Sequence, residues 1–216
     1  LLTYGALFYF LWKYRTRPDH KAIYTHGSHK IEVIWTIIPA VILAIIAVVQ
    51  IPVWLDNKDP KRMPDAATDP TVWEVHVLAR QFSWNFRYPG DDGKFGTKDD
   101  FVASKLIAPA NRSVVVIMRS MDVIHSLYLP HLRFKQDIVP GLTIKGWFKS
   151  RETGRFPIIC AELCGQQHYT MRSDVEFYEE ADLKAVQRKI ITEMGPIDYG
   201  SATENFRFWR VGEESK

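Results

Sequence analysis

Apolar and polar positions divide the 216-residue chain into two regions with different patterns. Residues 34–55 (IWTIIPAVILAIIAVVQIPVWL) form an apolar stretch without a charged side chain. Because a helix of about 20 apolar residues can cross a bilayer, this stretch predicts a membrane-spanning helix. A buried core helix is the alternative, but an apolar run of this length is unusual in a soluble core.

A second apolar run, residues 1–12 (LLTYGALFYFLW), is too short to cross a bilayer alone. The chain does not begin with Met, and no small-residue cleavage site of a signal peptide follows the run. We therefore expect this run to be the remaining half of a truncated first membrane helix, so that residues 1–55 form a two-helix transmembrane hairpin.

The charges between the two apolar runs indicate how the hairpin is oriented. Residues 13–30 contain five Lys or Arg side chains and one Asp. Short loops rich in Lys and Arg stay on the cytoplasmic side of a membrane. We therefore expect the connection to lie inside and everything after residue 55 to lie outside.

A polar, Pro-rich linker at residues 56–70 separates the hairpin from a region with period-two patterning. Residues 71–79 (TVWEVHVLA) alternate apolar and polar, which predicts a half-buried strand. Residues 81–89 (QFSWNFRYP) also alternate, but the apolar set has moved from odd to even positions. Because a strand cannot change parity without an extra residue, we predict a bulge or a change of sheet near Arg80 and Gln81.

The later part of the chain contains several more short apolar segments separated by turn signals, including a Gly/Asp-rich turn region at residues 90–100. We predict further strands at residues 113–119, 142–149, 156–160 and 174–178. Many short strands of this kind predict a small all-β sandwich or barrel over residues 71–179. A C-terminal helix at residues 180–194, stopped by Gly195 and Pro196, and a polar tail with interspersed aromatics complete residues 180–216.

The net charge of +3 comes from the N-terminal region. Residues 56–216 contain 23 basic and 23 acidic side chains. A neutral, evenly mixed outer region gives no electrostatic basis for binding nucleic acid.

Both cysteines of the chain lie in the segment CAELCGQQHYTM, residues 160–171. A disulfide is the usual fate of two cysteines outside the membrane, but Cys160 and Cys164 would close only a very small loop and gain little stability from it. A helix face is the second interpretation, since positions 160, 164, 168 and 171 share a helical stripe. The third is a metal-binding loop between strands, which also gives His168 and Met171 a role.

Two thiolates, an imidazole and a thioether are soft ligands, which select copper, zinc or iron–sulfur centres over magnesium or calcium. Copper electron-transfer sites combine Cys, His and a weak Met, whereas zinc sites rarely include Met. Two cysteines exceed what one such copper needs but suit two thiolates that bridge a copper pair. A second histidine would then be required, and His125 in MDVIHSLYLP is the best placed candidate.

On these motifs the chain, from residue 1 to about residue 178, resembles subunit II of the cytochrome c oxidases in the haem–copper oxidase superfamily. EVIWTIIPA (residues 32–40) is similar to the start of the family's second membrane helix, and KQDIVPG (residues 135–141) and the two ligand segments are similar to its cupredoxin domain. The resemblance implies a cupredoxin-like β-sandwich with a dinuclear copper centre, CuA. It implies bridging ligands at Cys160 and Cys164, terminal ligands at His125 and His168, a weak axial ligand at Met171, and a backbone carbonyl ligand from Glu162.

The resemblance implies further roles for four side chains. Glu32 would admit protons at the cytoplasmic end of the membrane helix, although an ordinary solvated charge is the alternative. The Glu162 carboxylate would help hold a magnesium or manganese ion shared with subunit I. Phe82 stands where the family usually has the tryptophan that receives electrons (QFSW in place of QWYW), and Trp84 either shares its face or packs inward near the metal; both could also be ordinary core aromatics.

The implied function is the copper-bearing subunit of a terminal oxidase. It would take electrons from a c-type cytochrome and pass them to haem in subunit I, with subunit III as a further partner, for oxygen reduction coupled to proton translocation. We expect a bacterial inner membrane with the copper domain on the periplasmic side, the mitochondrial inner membrane being the alternative. Rival hypotheses are a quinol oxidase subunit, whose branch lacks the copper ligands, a non-enzymatic membrane-anchored copper carrier, and a disulfide-stapled ectodomain without metal.

Overall fold

The computed structural model describes residues 1–21, 23–24, 26–97 and 99–194. The chain divides into two compact units, Leu1–Ile51 and Pro52–Lys216. The predicted helix stop at Gly195 and Pro196 and the polar tail lie outside the described residues.

The N-terminal unit is helical. Helix α1 spans Leu2–Lys13, and helix α2 spans His29–Lys58 and so continues into the second unit. Among the described residues, α2 is the one helix long and apolar enough to cross a membrane, and none of its apolar stretch is buried. The predicted two-helix hairpin is not confirmed, because the 12 residues of α1 rise only about 18 Å at 1.5 Å per residue, less than the roughly 30 Å of a hydrocarbon core.

The described part of the second unit contains ten strands in two five-stranded sheets. The first sheet has the order β3-β2-β1-β5-β8 and the second the order β4-β10-β9-β6-β7. Strands β1 and β5 pair in parallel, as do β4 and β10, and the other pairs are antiparallel. The strands are β1 Trp73–Arg80, β2 Ser83–Tyr88, β3 Phe101–Ala103, β4 Leu106–Pro109, β5 Val114–Ser120, β6 His125–Leu129, β7 Phe134–Ile138, β8 Ile144–Phe148, β9 Gly154–Cys160 and β10 Arg172–Tyr178.

This arrangement confirms the predicted all-β sandwich. Strand β1 lies at the centre of its sheet, and its inward residues Val75 and Val77 are fully buried in the core. The opposite face of β1 is buried as well, because the ring of His76 stacks on Phe95 from the Gly/Asp-rich segment at 3.8 Å. The prediction of a half-buried strand was therefore wrong on this face.

The change of parity near Arg80 has a different cause from the predicted one. Strands β1 and β2 form a hairpin in which Arg80 pairs with Ser83, so only Gln81 and Phe82 make the turn. Each antiparallel pair across this hairpin joins an odd-numbered residue to an even-numbered one, as in Ala79 with Trp84. One face of the sheet therefore changes parity at the turn without a bulge or a change of sheet.

Four connections meet at one end of the sandwich, which we call the site end. They are the β1–β2 turn and the β5–β6, β7–β8 and β9–β10 loops, placed together by the pairing of β1 with β5, β5 with β8, and β6 with β7 and β9. The predicted C-terminal helix is present as α3, Glu180–Met194, and it buries Leu183 against the β3 and β4 region.

Candidate metal centre

The ligand residues predicted from the sequence meet at the site end. Cys160 is the last residue of β9, and His125 is the first residue of β6. Cys164, His168 and Met171 lie in the β9–β10 loop, which confirms a loop rather than a helix for this segment. The backbone N–H of Cys160 donates to the carbonyl of Met171 at 3.1 Å, so the two ends of the loop are tied together.

The donor atoms form one compact cluster with the two sulfur atoms at its centre. Both cysteines are free thiols, and the Sγ atoms of Cys160 and Cys164 lie 3.9 Å apart. The Cys160 sulfur lies 3.9 Å from Nδ1 of His125 and 3.3 Å from the carbonyl oxygen of Glu162. The Cys164 sulfur lies 3.5 Å from Nδ1 of His168 and 3.8 Å from Sδ of Met171.

These separations suit metal ions. Two ligands that each bind an ion at roughly 2.0–2.3 Å in tetrahedral geometry lie roughly 3.3–3.8 Å apart. The side chains of His125, Cys160, Cys164 and Met171 are all buried, so water does not compete for the donors. The five side-chain donors are soft or borderline ligands, which suit copper. The cluster has six donors in all, more than the four that one zinc ion uses. The residues therefore fit a pair of copper ions.

Asp122 holds the ring of His125. Its Oδ1 atom lies 2.8 Å from Nε2 of His125, which turns Nδ1 of the same ring toward Cys160. A carboxylate on the outer nitrogen fixes the tautomer and orientation of a histidine ligand. Burial alone would raise the pKa of Asp122, but the N–H of Gln81 and the His125 ring outweigh it, so the pKa lies below its ordinary value.

The two thiols differ in how readily they lose a proton. Burial alone would raise the pKa of Cys160, but hydrogen bonds from His125 and the backbone of Ser126 outweigh it and lower the pKa to about 6. Burial and the neighbouring Cys160 raise the pKa of Cys164 to about 11. A metal ion that binds both sulfur atoms must therefore displace the proton of Cys164.

Gln81 connects the β1–β2 turn to both ligand segments. Its backbone N–H donates to Oδ2 of Asp122 at 2.7 Å, and its side-chain amide donates to the carbonyl of Cys164 at 2.6 Å. Gln81 therefore supports His125 through Asp122 and holds Cys164 directly. Sequence reasoning did not identify Gln81 or Asp122 as site residues; a signal for Asp122 was its position three residues before His125.

Phe82 lies in the turn rather than in a strand, and a cis peptide bond joins it to Gln81. Its half-buried ring packs on Gly165 of the ligand loop, where a Cβ atom would come within 3.0 Å of the ring. Gly165 also has a φ of +138°, a conformation that other residues rarely adopt. The aromatic side chain at the surface thus contacts the residue that follows Cys164.

Trp84 packs inward, which was one of the two predicted positions. It is buried on β2, and its ring lies 6.2 Å from the ring of His125 in an edge-to-face arrangement. Phe82 and Trp84 therefore differ in environment, because only Phe82 reaches the surface at the turn.

The two glutamates of interest lie in different units. Glu162 is half-buried in the ligand loop, and its backbone oxygen belongs to the donor cluster. Glu32 lies in the first turn of α2 and is exposed, with Oε2 3.7 Å from Nδ1 of His29. Among the described residues, the group of three or more metal-binding side chains is His125, Cys160 and Cys164, so neither carboxylate belongs to a second cluster of this kind.

Two family models match the chain: "Cytochrome C oxidase subunit II, transmembrane domain" over residues 1–53 and "Cytochrome C oxidase subunit II, periplasmic domain" over residues 91–177. The chain is 37% identical over 135 residues to an alternative cytochrome c oxidase subunit 2 of Bradyrhizobium diazoefficiens, a match that covers 52% of this chain and 49% of the relative. It is 31% identical over 196 residues to a probable cytochrome c oxidase subunit 2 of Rickettsia bellii, which covers 84% and 70%.

The sandwich is similar to the crystal structure of the periplasmic domain of subunit II of a cytochrome oxidase of Bradyrhizobium japonicum. The TM-score is 0.50 with 27% sequence identity, over 57% of this chain and 96% of that one. The chain spans about half the length of two of the curated relatives it matches, 49% and 48%. With both family models and the sandwich in agreement, the chain belongs to the cytochrome c oxidase subunit II family and is a membrane-anchored member with a cupredoxin-like domain.

Proposed function

We propose that this chain is the copper-bearing subunit of a terminal cytochrome c oxidase. The observation that carries the proposal is the cluster of two thiols, two imidazoles, a thioether and a backbone carbonyl, in which every donor lies within 3.9 Å of one of the two sulfur atoms. In this proposal Cys160, Cys164 and the other four donors would together hold two copper ions. When bound, the copper pair supplies reversible one-electron chemistry.

The protein would keep the ligands in one geometry during electron transfer. His125 and Cys160 are strand residues, and the ligand loop is closed by the hydrogen bond between Cys160 and Met171. Asp122 orients His125, and Gln81 holds the Cys164 carbonyl. Ligands fixed in this way move little when the charge of the site changes, which favours fast electron transfer over substrate binding. Oxygen reduction would therefore take place at haem in subunit I.

We propose that electrons arrive from a c-type cytochrome near Phe82. Its ring lies at the surface and contacts Gly165, the neighbour of Cys164, so that a docked donor is separated from the ligand loop by one side chain. Trp84 would support His125 from inside the core. The Glu162 carboxylate would supply one oxygen ligand to a magnesium or manganese ion whose other ligands come from subunit I.

We propose that Glu32 admits protons that are used at the oxygen site. An ionisable side chain at the end of a membrane helix can mark a proton path, and Glu32 is exposed in the first turn of α2. The oxidase, with subunits I and III, would lie in a bacterial inner membrane. The matches to a transmembrane and a periplasmic domain support a copper domain on the periplasmic side.

Copper content tests this function against a copper carrier and a metal-free ectodomain. We expect the purified chain to bind two copper ions and to show the EPR signal of an electron shared between them. Cys160→Ser or Cys164→Ser should abolish the signal, and His168→Asn should alter it. A carrier should instead release its copper readily to a chelator, because its ligands must open. One tightly bound copper with an ordinary blue-copper spectrum would contradict the dinuclear assignment.

A further inference from the structure

Ser126 uses all three of its polar groups next to the donor cluster. It lies in β6 directly after His125 and is fully buried. Its backbone N–H donates to the sulfur of Cys160 and helps to lower the pKa of that thiol. Its carbonyl accepts the backbone N–H of Ala161 at 3.0 Å. Both backbone groups of Ser126 are therefore tied to the end of β9 that carries Cys160.

The third polar group of Ser126 joins it to the strand on its other side. The Ser126 hydroxyl donates to Oδ1 of Asp137 in β7 at 2.7 Å, and the two residues lie opposite each other in the antiparallel β6–β7 pair. Residues opposite each other in such a pair alternate between those that exchange backbone hydrogen bonds and those that do not. Because the backbone groups of Ser126 are used toward β9, this pair is of the second kind. The side-chain hydrogen bond is therefore the direct link between Ser126 and β7.

Asp137 is held as a carboxylate at the surface of the sandwich. Its side chain is 50% exposed, and Nζ of Lys135 lies 3.3 Å from the same Oδ1 atom that accepts the Ser126 hydroxyl. The hydrogen bond from Ser126 lowers the pKa of Asp137 most, and the cation of Lys135 lowers it further. The carbonyl of Asp137 also accepts the side-chain amide of Gln136 at 3.2 Å. The acceptor for Ser126 is thus fixed both in position and in charge.

The Ser126 N–H bears on redox chemistry because it faces a ligand sulfur. A hydrogen bond to a charged group favours its charged form, and hydrogen bonds to cysteine sulfur tune the reduction potentials of metal centres. Reduction adds one electron to the site, so an N–H on the sulfur makes reduction easier. The carboxylate of Asp137 has the opposite direct effect, since a negative charge nearby opposes the added electron. The direct and indirect effects of Asp137 therefore differ in sign.

We propose that Asp137 is a positioning residue for the copper site. It holds Ser126 in the orientation that keeps the Ser126 N–H on the Cys160 sulfur, and it thereby makes reduction of the site easier. Hydrogen-bond partners outside the ligand set commonly tune a metal site in this way. The inference rests on the proposed function and adds to it a residue that acts through another residue.

The comparison of Asp137→Leu with Asp137→Asn tests this support. Both variants lack the charge, and only the Asn variant retains an oxygen acceptor for Ser126. Each variant of the whole chain is loaded with copper and studied by redox titration and EPR. We expect the equilibrium constant for one-electron reduction to be about fivefold lower in Asp137→Leu than in Asp137→Asn, the effect of one hydrogen bond. The EPR hyperfine pattern should change in the Leu variant alone, and identical constants and patterns in the two variants would overturn the inference.

Ser126→Ala removes the donor of the same hydrogen bond and leaves the Asp137 charge in place. It should change the EPR pattern as Asp137→Leu does. In the Ser126→Ala background the Leu and Asn variants of Asp137 should have equal reduction constants, because residues that act through one bond have non-additive effects. A fivefold difference that persists in this background would contradict the proposed route through Ser126.

Asp69 provides the matched control. It also accepts a hydroxyl hydrogen bond, from Thr71 at 2.6 Å, but it precedes β1, whose last residue is the one at the site end. The Leu and Asn variants of Asp69 should have equal reduction constants and the wild-type EPR pattern. A difference between them as large as that between the two Asp137 variants would overturn the inference.

The metal-free chain separates this inference from the proposed function. Hydrogen exchange of the Ser126 amide, measured by NMR, should be about fivefold faster in Asp137→Leu than in Asp137→Asn, because the amide is held less firmly on the Cys160 sulfur. Equal exchange rates would overturn the inference and leave the proposed function standing. Absence of the copper-pair EPR signal from the loaded wild-type chain would overturn the proposed function together with the inference.

Discussion

Some residues next to the donor cluster hold the donor residues in place without being donors themselves. Gln81 is the example, because it contributes no metal ligand and yet bonds to Asp122 and to the Cys164 carbonyl. Residues that hydrogen-bond to metal ligands hold those ligands in position, and their loss commonly lowers the metal affinity. The positions of His125 and Cys164 therefore depend on the β1–β2 turn, although neither residue belongs to β1 or β2.

Replacing Gln81 by Met tests this support. The change keeps the length of the side chain and removes the amide donor, which contributes about 1 kcal/mol as a neutral hydrogen bond. In a metal-free Cys160→Ser background we expect Cys164 to react about fivefold faster with a thiol reagent. In the copper-loaded chain the EPR hyperfine pattern should change.

Gln166→Met is the matched control, since Gln166 is exposed in the same loop. It should change neither the reactivity of Cys164 nor the EPR pattern. The reactivity of each variant is compared with that of the Cys160→Ser chain, and its EPR pattern with that of the wild-type chain. If neither variant differs from its reference, the Gln81 amide does not support Cys164.

At the scale of elements, the β1–β2 turn and the β9–β10 loop form one packed unit. Gly165 lies between them, with the Gln81 amide and the Phe82 ring on the side where a Cβ atom would project. The contact leaves no room for a larger residue, and the backbone conformation at Gly165 excludes one as well.

Gly165→Ala should therefore destabilise the domain more than a glycine replacement in open space. A Cβ atom would lie 2.8 Å from the Gln81 amide nitrogen and 3.0 Å from the Phe82 ring, so we expect a loss of about 3 kcal/mol. Gly141→Ala is the control, because Gly141 also has a positive φ, +80°, but has no atom within 4 Å of the added group; its cost should be about 1–2 kcal/mol. Thermal unfolding of the metal-free chain measures both, and equal losses would mean that crowding at Gly165 is unimportant.

Phe82→Ala tests the turn as the place where electrons arrive. The truncation lengthens the gap between a docked donor and the ligand loop, so reduction of the copper by the donor should slow at an unchanged copper potential. Phe82→Trp should be tolerated. Stopped-flow reduction by the native donor and redox titration measure the two quantities, and an undiminished rate in Phe82→Ala would show that electrons enter elsewhere.

The clustering of the predicted donor residues could be anticipated from the sequence, because all of them except His125 lie in one segment. The spacing of Cys160, Cys164, His168 and Met171 is written in one segment, and soft donors restrict the metal. Gln81 was not predictable, because its partner Cys164 is 83 positions away and meets it only through the order of the strands. The parity change at Arg80 was visible in the sequence, but a hairpin was not considered, since Gln81 and Phe82 carry no Asn-Gly or Gly signal.

Four strands were not predicted. Strand β7 reads FKQDI and lies at the edge of its sheet, so three successive polar residues are tolerated and hide the alternation. Strands β3 and β4 have three and four residues, too few for a period to be recognised. Strand β6 has five residues and begins at His125, which lies beyond the strand predicted at residues 113–119 and was considered as a metal ligand.

At the scale of the whole molecule, the chain joins a helix that is long and apolar enough to cross a membrane to a cupredoxin-like domain. No residue of helix α2 is buried, which is compatible with a helix that crosses a membrane. Glu32 at its start and the donor cluster belong to different units of the chain. A change at Glu32 should therefore affect proton uptake without altering the copper site.

Glu32→Ala should slow steady-state oxygen consumption of the oxidase complex while the copper EPR signal stays unchanged. The reason is that the variant removes a proton-carrying group from the end of the membrane helix. Asp19→Ala, which removes another exposed carboxylate before α2, is the control and should leave turnover unaltered. Equal turnover in the wild-type and Glu32→Ala complexes would show that Glu32 is an ordinary solvated charge and not a proton entry point.

The two-residue turn between β1 and β2 also limits how relatives of this chain can differ in length. An inserted residue would move Gln81 away from Asp122 or from the Cys164 carbonyl, since both bonds are made by the same residue. The segment after β2 lies at the opposite end of the sandwich, so a change in its length between the end of β2 and Phe95 or between Phe95 and Asp100 would leave the donor cluster intact. Insertions and deletions accumulated over evolution should therefore be found at residues 90–100 and be absent from residues 81–82.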